Sequence, residues 1–266
     1  MTKKREEDYG NYILSNKESI LKRKRKIIVM KRTMIILVLL CTILVTLGLT
    51  LPEFNLGEVT VSGNEIVSTE TVLTSAAIEP EINIFKINTS KIEKILMKNE
   101  YIESATVKRL LPKKLSIEIK ERKIAFSAQG TDGIYAIDEN GRVLGVKETI
   151  EMPQVLSIEG IPAEKLIVGE FIKDEDGSRI DGAKDIHKYL SEKGYFEQFP
   201  QMRLEVNNFV DYKLYVENAY IKLGSSENMN EKLAKAFSIL TAPQFLGMKG
   251  YVDVSFKGNP VVFKEE

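Results

Sequence analysis

The sequence predicts a single transmembrane helix followed by an α+β ectodomain, a β-α-α-β-β unit succeeded by a strand-rich β domain with helices. Three observations carry this. Residues 34–51 form an uncharged apolar run, residues 1–33 ahead of it are basic, and the chain beyond it switches repeatedly between period-two and helical patterns.

The 266 residues hold 38 basic and 38 acidic side chains, a formal net charge of zero that hides an asymmetry. Residues 1–33 carry eleven Lys/Arg against four Asp/Glu, and the remainder carries 27 against 34. The sign changes at Met34–Leu51. Eighteen helical residues at about 1.5 Å each cover roughly 27 Å, close to the hydrocarbon thickness of a bilayer. Lys22-Arg23-Lys24-Arg25-Lys26 and Lys31-Arg32 precede it, so the positive-inside bias puts the N-terminus in the cytoplasm and the C-terminal part outside. A cleaved signal peptide would have a shorter apolar core and a small-residue cleavage site. This run instead leaves through Leu51-Pro52-Glu53-Phe54, and a retained anchor is expected.

The basic cluster abuts the span. It is read as a topology signal with some attraction for anionic lipid, and no nucleic-acid partner is expected. Cys41, the single cysteine, lies in the span. The exported part therefore has no disulfide and depends on an apolar core.

The expected layout is a basic cytoplasmic tail at 1–33, the span at 34–51, a first domain at 53–123, a β domain at 124–257 and a C-terminal tail at 258–266. In the first domain Val59 and Val61 alternate with polar neighbours up to the turn Ser62-Gly63-Asn64. Ser68 caps a helix whose apolar face is Val72, Leu73, Ala76 and Ala77. Ile82, Ile84 and Ile87 lie in an extended connection. Ser90-Lys91-Ile92-Glu93 fits a capping box for a second helix with Ile92, Ile95 and Leu96 buried. Ala105 and Val107 mark a strand, Pro112-Lys113-Lys114 a turn, and Leu115, Ile117 and Ile119 a strand with one wet face.

In the second domain, Ile134–Ile137 and Arg142–Leu144 flank Asp138-Glu139-Asn140-Gly141 as a hairpin. Ala183, Ile186 and Leu190 face inward from a helix starting near Asp181. Strands are expected near Arg203–Val206, Tyr212–Val216 and Tyr220–Leu223, then a helix over about Asn228–Leu240 with Leu233, Phe237 and Leu240 on one side. The last strand is Tyr251-Val252-Asp253-Val254-Ser255-Phe256, ended by Gly258-Asn259-Pro260. The stretch 159–208 gives no clear architecture, and no linker separates the two domains.

These residues resemble a known family. A basic tail, one span, a β-α-α-β-β unit and a strand-rich domain is the layout of FtsQ/DivIB bacterial cell-division proteins, and the first exported unit resembles their POTRA domain. The strongest match is the run Val107-Lys108-Arg109-Leu110-Leu111-Pro112-Lys113-Lys114-Leu115-Ser116-Ile117-Glu118-Ile119-Lys120-Glu121-Arg122. Ile137-Asp138…Gly141 and Tyr251-Val252-Asp253-Val254 are weaker ones. Lys123 stands where the family usually has proline. The resemblance implies a non-catalytic membrane scaffold of the divisome. Such a scaffold links FtsL-like and FtsB/DivIC-like single-span partners to septal peptidoglycan synthesis, and it is enriched at the division septum. A membrane-anchored export, sporulation or cell-envelope component could use the same module, because fold alone does not assign function.

An exported cell-wall hydrolase is the rival class. His187, the only histidine, sits at a polar helical position and, with no catalytic partner marked for it, reads as a surface residue. Nucleophile-elbow and zinc-protease motifs are absent. Asp174-Glu175-Asp176-Gly177 lacks the terminal Glu of a calcium loop and reads as a solvated turn. Asn88-Thr89-Ser90 matches a glycosylation acceptor but coincides with a helix start. No catalytic residue, metal site or cofactor is expected.

Two binding surfaces remain. Tyr251, Val252, Asp253, Val254, Ser255 and Phe256 are expected to form an edge strand that a partner strand extends. The alternative is an ordinary core strand that happens to come last. Arg109, Lys113 and Lys114 form a second surface for an acidic partner or lipid headgroups, or else a solvated turn.

Overall fold

The structure is a computed structural model, and it describes residues 2–172, 178–206 and 211–265, with side chains from residue 21 onward except 178 and 179. The acidic turn at 174–177 lies outside the described residues. By internal contacts the chain divides into two units. One comprises Met1–Thr60, Ala77–Lys91 and Val107–Ile117, and the other Val61–Ala76, Ile92–Thr106 and Glu118–Glu266.

The first unit begins with helix α1, Thr2–Thr50. Its segment Leu21–Thr50 is long and apolar enough to cross a membrane. The hydroxyls of Thr42, Thr46 and Thr50 donate to the carbonyls of Val38, Thr42 and Thr46 at 2.8–2.9 Å. These three threonine hydroxyls in the span are thus satisfied within the helix, as hydrocarbon requires. A short 3-10 turn, Pro52–Phe54, follows.

A three-stranded sheet of order β1-β3-β2 is built from β1 (Glu58–Ser62), β2 (Ile102–Leu110) and β3 (Lys114–Glu121). In β3, Leu115, Ile117 and Ile119 are buried and their neighbours are not, as the alternation predicts. The helices α2 (Thr69–Ala76) and α3 (Thr89–Leu96) bury Val72 with Ala76 and Ile92 with Leu96. The Ser68 hydroxyl accepts the Thr71 N–H at 3.1 Å, an N-cap. The expected Ser90 capping box is corrected. The helix starts one residue earlier, and the Asn88 side chain accepts the Lys91 N–H at 3.0 Å.

Among the described residues, the second sheet has nine strands in the order β12-β11-β10-β9-β8-β7-β4-β5-β6. They are β4 (Ile124–Gln129), β5 (Ile134–Asp138), β6 (Val143–Lys147), β7 (Leu156–Glu159), β8 (Met202–Val206), β9 (Tyr212–Val216), β10 (Ala219–Gly224), β11 (Gly250–Asp253) and β12 (Val261–Lys264). The pairs β4–β7, β7–β8 and β10–β11 are parallel, and the other adjacent pairs are antiparallel. The helices α4 (Ser178–Glu192), α5 (Tyr195–Gln198) and α6 (Met229–Leu240) supply Ile186, Leu190, Phe196, Leu233 and Phe237 to one apolar core shared with Phe126, Leu204, Leu214, Ile221 and Val252. β8, β9 and β10 each alternate buried with half-buried residues, so the other sheet face is open to water.

Candidate interaction surfaces

The expected edge strand is corrected in extent and in place. β11 ends at Asp253, and residues 254–256 lie outside it. Val252 and Val254 are buried, whereas Phe256 is exposed. The Asp253 carboxylate turns the chain by accepting the N–H and hydroxyl of Ser255 at 3.0 and 2.6 Å. The expected C-terminal tail contains β12, which pairs antiparallel with β11 from Gly250↔Lys264 to Asp253↔Val261. β11 is therefore an internal strand and, among the described residues, β12 is the edge.

The parity of the hydrogen bonds fixes which groups face outward. Val254 N–H donates to the Lys222 carbonyl of β10, while the Lys249 carbonyl on the other side accepts Glu265 N–H. In an antiparallel pair, bonded and non-bonded pairs alternate. Val261, Phe263 and Glu265 thus turn their backbone groups toward β11, and Val262 and Lys264 turn theirs to the open edge. Val261 and Phe263 are each 48% exposed.

An aromatic row crosses the open sheet face behind this edge. Registered neighbours Tyr215, Tyr220, Tyr251 and Phe263 stand with successive ring centroids 5.5, 5.4 and 5.3 Å apart. The Arg203 guanidinium lies 4.0 Å from the Tyr215 ring centroid and the Lys222 ammonium 3.8 Å from that of Tyr251, both in cation–π range. Glu205 accepts the Tyr215 hydroxyl at 2.7 Å, which holds that hydroxyl's pKa above its ordinary value. Period-two alternation in the sequence shows the face of each residue, but only the pairing register reveals that the rings form one row.

Arg109, Lys113 and Lys114 have definite partners. Arg109 stays exposed, but its Nε and Nη2 donate to the carbonyls of Ile84 and Ile87 at 2.9 and 2.5 Å. Lys113 pairs with Glu53 at 3.3 Å and Lys114 with Glu58 at 2.6 Å.

His187 is half-buried rather than fully at the surface. Its ring lies between Phe126 and Phe196, with centroids at 5.1 and 5.2 Å, and Nε2 is 2.9 Å from the Gln154 carbonyl. Desolvation holds its pKa below the usual 6.5, against the opposing hydrogen bond to Gln154 and the charge of Glu139. Among the described residues, no group of three or more His, Cys, Asp or Glu is placed to hold a metal ion.

An apolar helix leading into a small β-α-α-β-β unit and a larger mixed sheet defines a membrane-anchored protein of the POTRA type. Residues 54–122 match the sequence model of the FtsQ-type POTRA domain. The chain is 36% identical to cell division protein DivIB of Clostridium tetani over 221 residues, covering 82% of this chain and 83% of that protein. It is 30% identical to DivIB of Clostridium acetobutylicum over 217 residues, 82% of this chain and 86% of that one. Cell division protein FtsQ of Syntrophotalea carbinolica is 26% identical over 207 residues, 76% of this chain and 71% of its own length. The chain belongs to the DivIB/FtsQ family of cell division proteins.

Proposed function

We propose that this protein is a non-catalytic scaffold of the divisome. In this reading the N-terminus is cytoplasmic, the ectodomain lies outside the membrane, and the chain collects at the division septum. There it links FtsL-like and FtsB/DivIC-like single-span proteins to septal peptidoglycan synthesis. The observation that carries the reading is the open edge of β12. A strand edge offers unpaired donors and acceptors that a partner strand completes, and alternate side-chain pockets give specificity. Val262 and Lys264 supply those backbone groups, with Val261 and Phe263 beside them. The docking role assigned to Tyr251–Phe256 thereby moves outward by one strand, and Tyr251 contributes through its stacked contact with Phe263.

Val262→Pro tests this. Proline removes the outward N–H, leaves the bonds to β11 intact, and is tolerated at an edge. Tagged full-length chain purified from membranes should bring down small single-span partners, and the variant should lose them while melting at the same temperature. Equal recovery by both chains would place the interface elsewhere. A fluorescent fusion should gather at midcell, whereas even envelope labelling would favour an export component.

A further inference from the structure

We infer that the β2–β3 hairpin tip, Leu110-Leu111-Pro112, is a second membrane contact that inserts into the headgroup–acyl boundary of the leaflet where α1 emerges. The inference rests on α1 being a membrane span. It is independent of the β12 edge.

The geometry brings this tip to the end of the span. The last carbonyls of any helix lack intrahelical partners. That of Gly48 accepts a hydrogen bond from the buried side chain of Asn83, whose Nδ2 donates to it at 3.0 Å. The Asn83 Oδ1 accepts the Phe85 N–H at 3.0 Å, and the Phe85 ring packs 3.6 Å from the position a Gly48 Cβ would take and 5.3 Å from the ring of Phe54. Leu56 N–H donates to the Ile82 carbonyl and Ile84 N–H to that of Phe54, both at 2.8 Å. The end of α1 is therefore seated on the 82–85 loop.

The hairpin is fastened to the same place. Gly57 N–H donates to the Lys113 carbonyl at 2.9 Å, and Lys113 pairs with Glu53. Arg109 grips the carbonyls of Ile84 and Ile87. Only residues 51–56 separate the helix end from Gly57, and three of these are coiled in a 3-10 turn that rises about 2 Å per residue.

The surface so placed is apolar. Leu111 is 59% exposed, Leu110 49% and Phe85 42%. Exposed leucines at a hairpin tip have no packing role inside the protein, and apolar side chains next to a span are stabilised by the acyl boundary. Lys113 and Lys114 already neutralise Glu53 and Glu58. Apolar contact and not lipid charge is therefore what holds the tip, and zwitterionic lipid serves as well as anionic.

The test uses the full-length chain with Cys41→Ala, reconstituted in vesicles of phosphatidylethanolamine with phosphatidylglycerol, and separately of phosphatidylcholine. Single cysteines at Leu111→Cys, Leu44→Cys and Lys193→Cys carry an environment-sensitive fluorophore. The expected result in both lipids is a blue shift and quenching by headgroup-level nitroxide lipid at position 111. Position 44 should be quenched by deep nitroxide, and position 193 by neither. Quenching at 44 without any at 111 overturns the inference and leaves the span reading intact. No quenching at 44 overturns both. Quenching at 111 only in anionic vesicles overturns the apolar contact. Protection at 111 that appears only in native membranes assigns the tip to a protein and overturns the lipid contact.

Discussion

Glu100 and Arg142 form a two-pronged ion pair, with Arg142 Nε and Nη2 donating to one Glu100 oxygen at 2.9 and 2.6 Å. The pair joins the residue before Tyr101 to the turn of the β5–β6 hairpin. The Phe171 ring covers the guanidinium with its centroid at 5.5 Å, and Gly169 leaves room for the carboxylate. Both side chains are about three-quarters covered. A lysine cannot reproduce two planar donors and stacks less well on a ring. Arg142→Lys should therefore cost about 1–2 kcal/mol, read as a lower urea midpoint with an unchanged slope.

Gly250 opens β11 at φ +131°, and a Cβ there would lie 2.1 Å from the Phe263 carbonyl oxygen. That atom is backbone and cannot step aside. Gly250→Ala should displace β12 from β11 at a cost above about 1 kcal/mol. Faster hydrogen exchange at 261–265, with exchange in β8 and β9 unchanged, would report it. If the proposed docking edge is correct, the same variant loses its single-span partners.

His187 makes stability depend on pH. Its pKa is lowered in the folded chain, so below the unfolded value of about 6.5 the unfolded state binds the proton more readily. This contribution is complete above about pH 6.5. It declines as the pH falls toward the folded pKa and levels off below it. Urea unfolding at neutral and mildly acidic pH should show the loss, and His187→Gln should flatten this part of the profile.

Arg109→Met keeps the alkyl stem and removes both donors. The carbonyls of Ile84 and Ile87 then lose charged partners, for an expected cost of about 1–3 kcal/mol. Local opening at 84–88, measured by hydrogen exchange in detergent-solubilised protein, should increase more than opening of α6. An alanine in place of Lys114, whose pair with Glu58 is exposed, should be nearly silent.

The sequence exposed those features that depend on local pattern. The apolar run, the alternation in β3, the Ser68 cap and the face of α6 are each set by residues a few positions apart. β12 has no plain sequence signature because its four residues follow Gly258-Asn259-Pro260, which reads as a stop. Pro260 in fact sits just ahead of the strand, where a missing N–H costs no ladder bond. The Asn88 cap was hidden by a neighbouring serine that fits the same motif. The partial burial of His187 depends on Phe126, 61 positions earlier, and on Phe196 in another helix. Parallel pairing of β10 with β11 across the α6 crossover likewise has no local signature. The bonding of Arg109 to the carbonyls of Ile84 and Ile87 is a tertiary fact of the same kind, since a basic residue at a strand end looks free until the carbonyls it meets are known.

The row of rings leading to β12 has a spectroscopic consequence. The sequence contains no tryptophan, so Phe263→Trp would install a solitary indole at the far end of Tyr215, Tyr220 and Tyr251. Neighbouring centroids 5.3–5.5 Å apart are close enough for tyrosine excitation to drain along the row into that indole. Light absorbed across four strands would then emerge from a position on the proposed docking edge, and if that edge takes up a partner strand the indole gives an optical titration of assembly with no added dye.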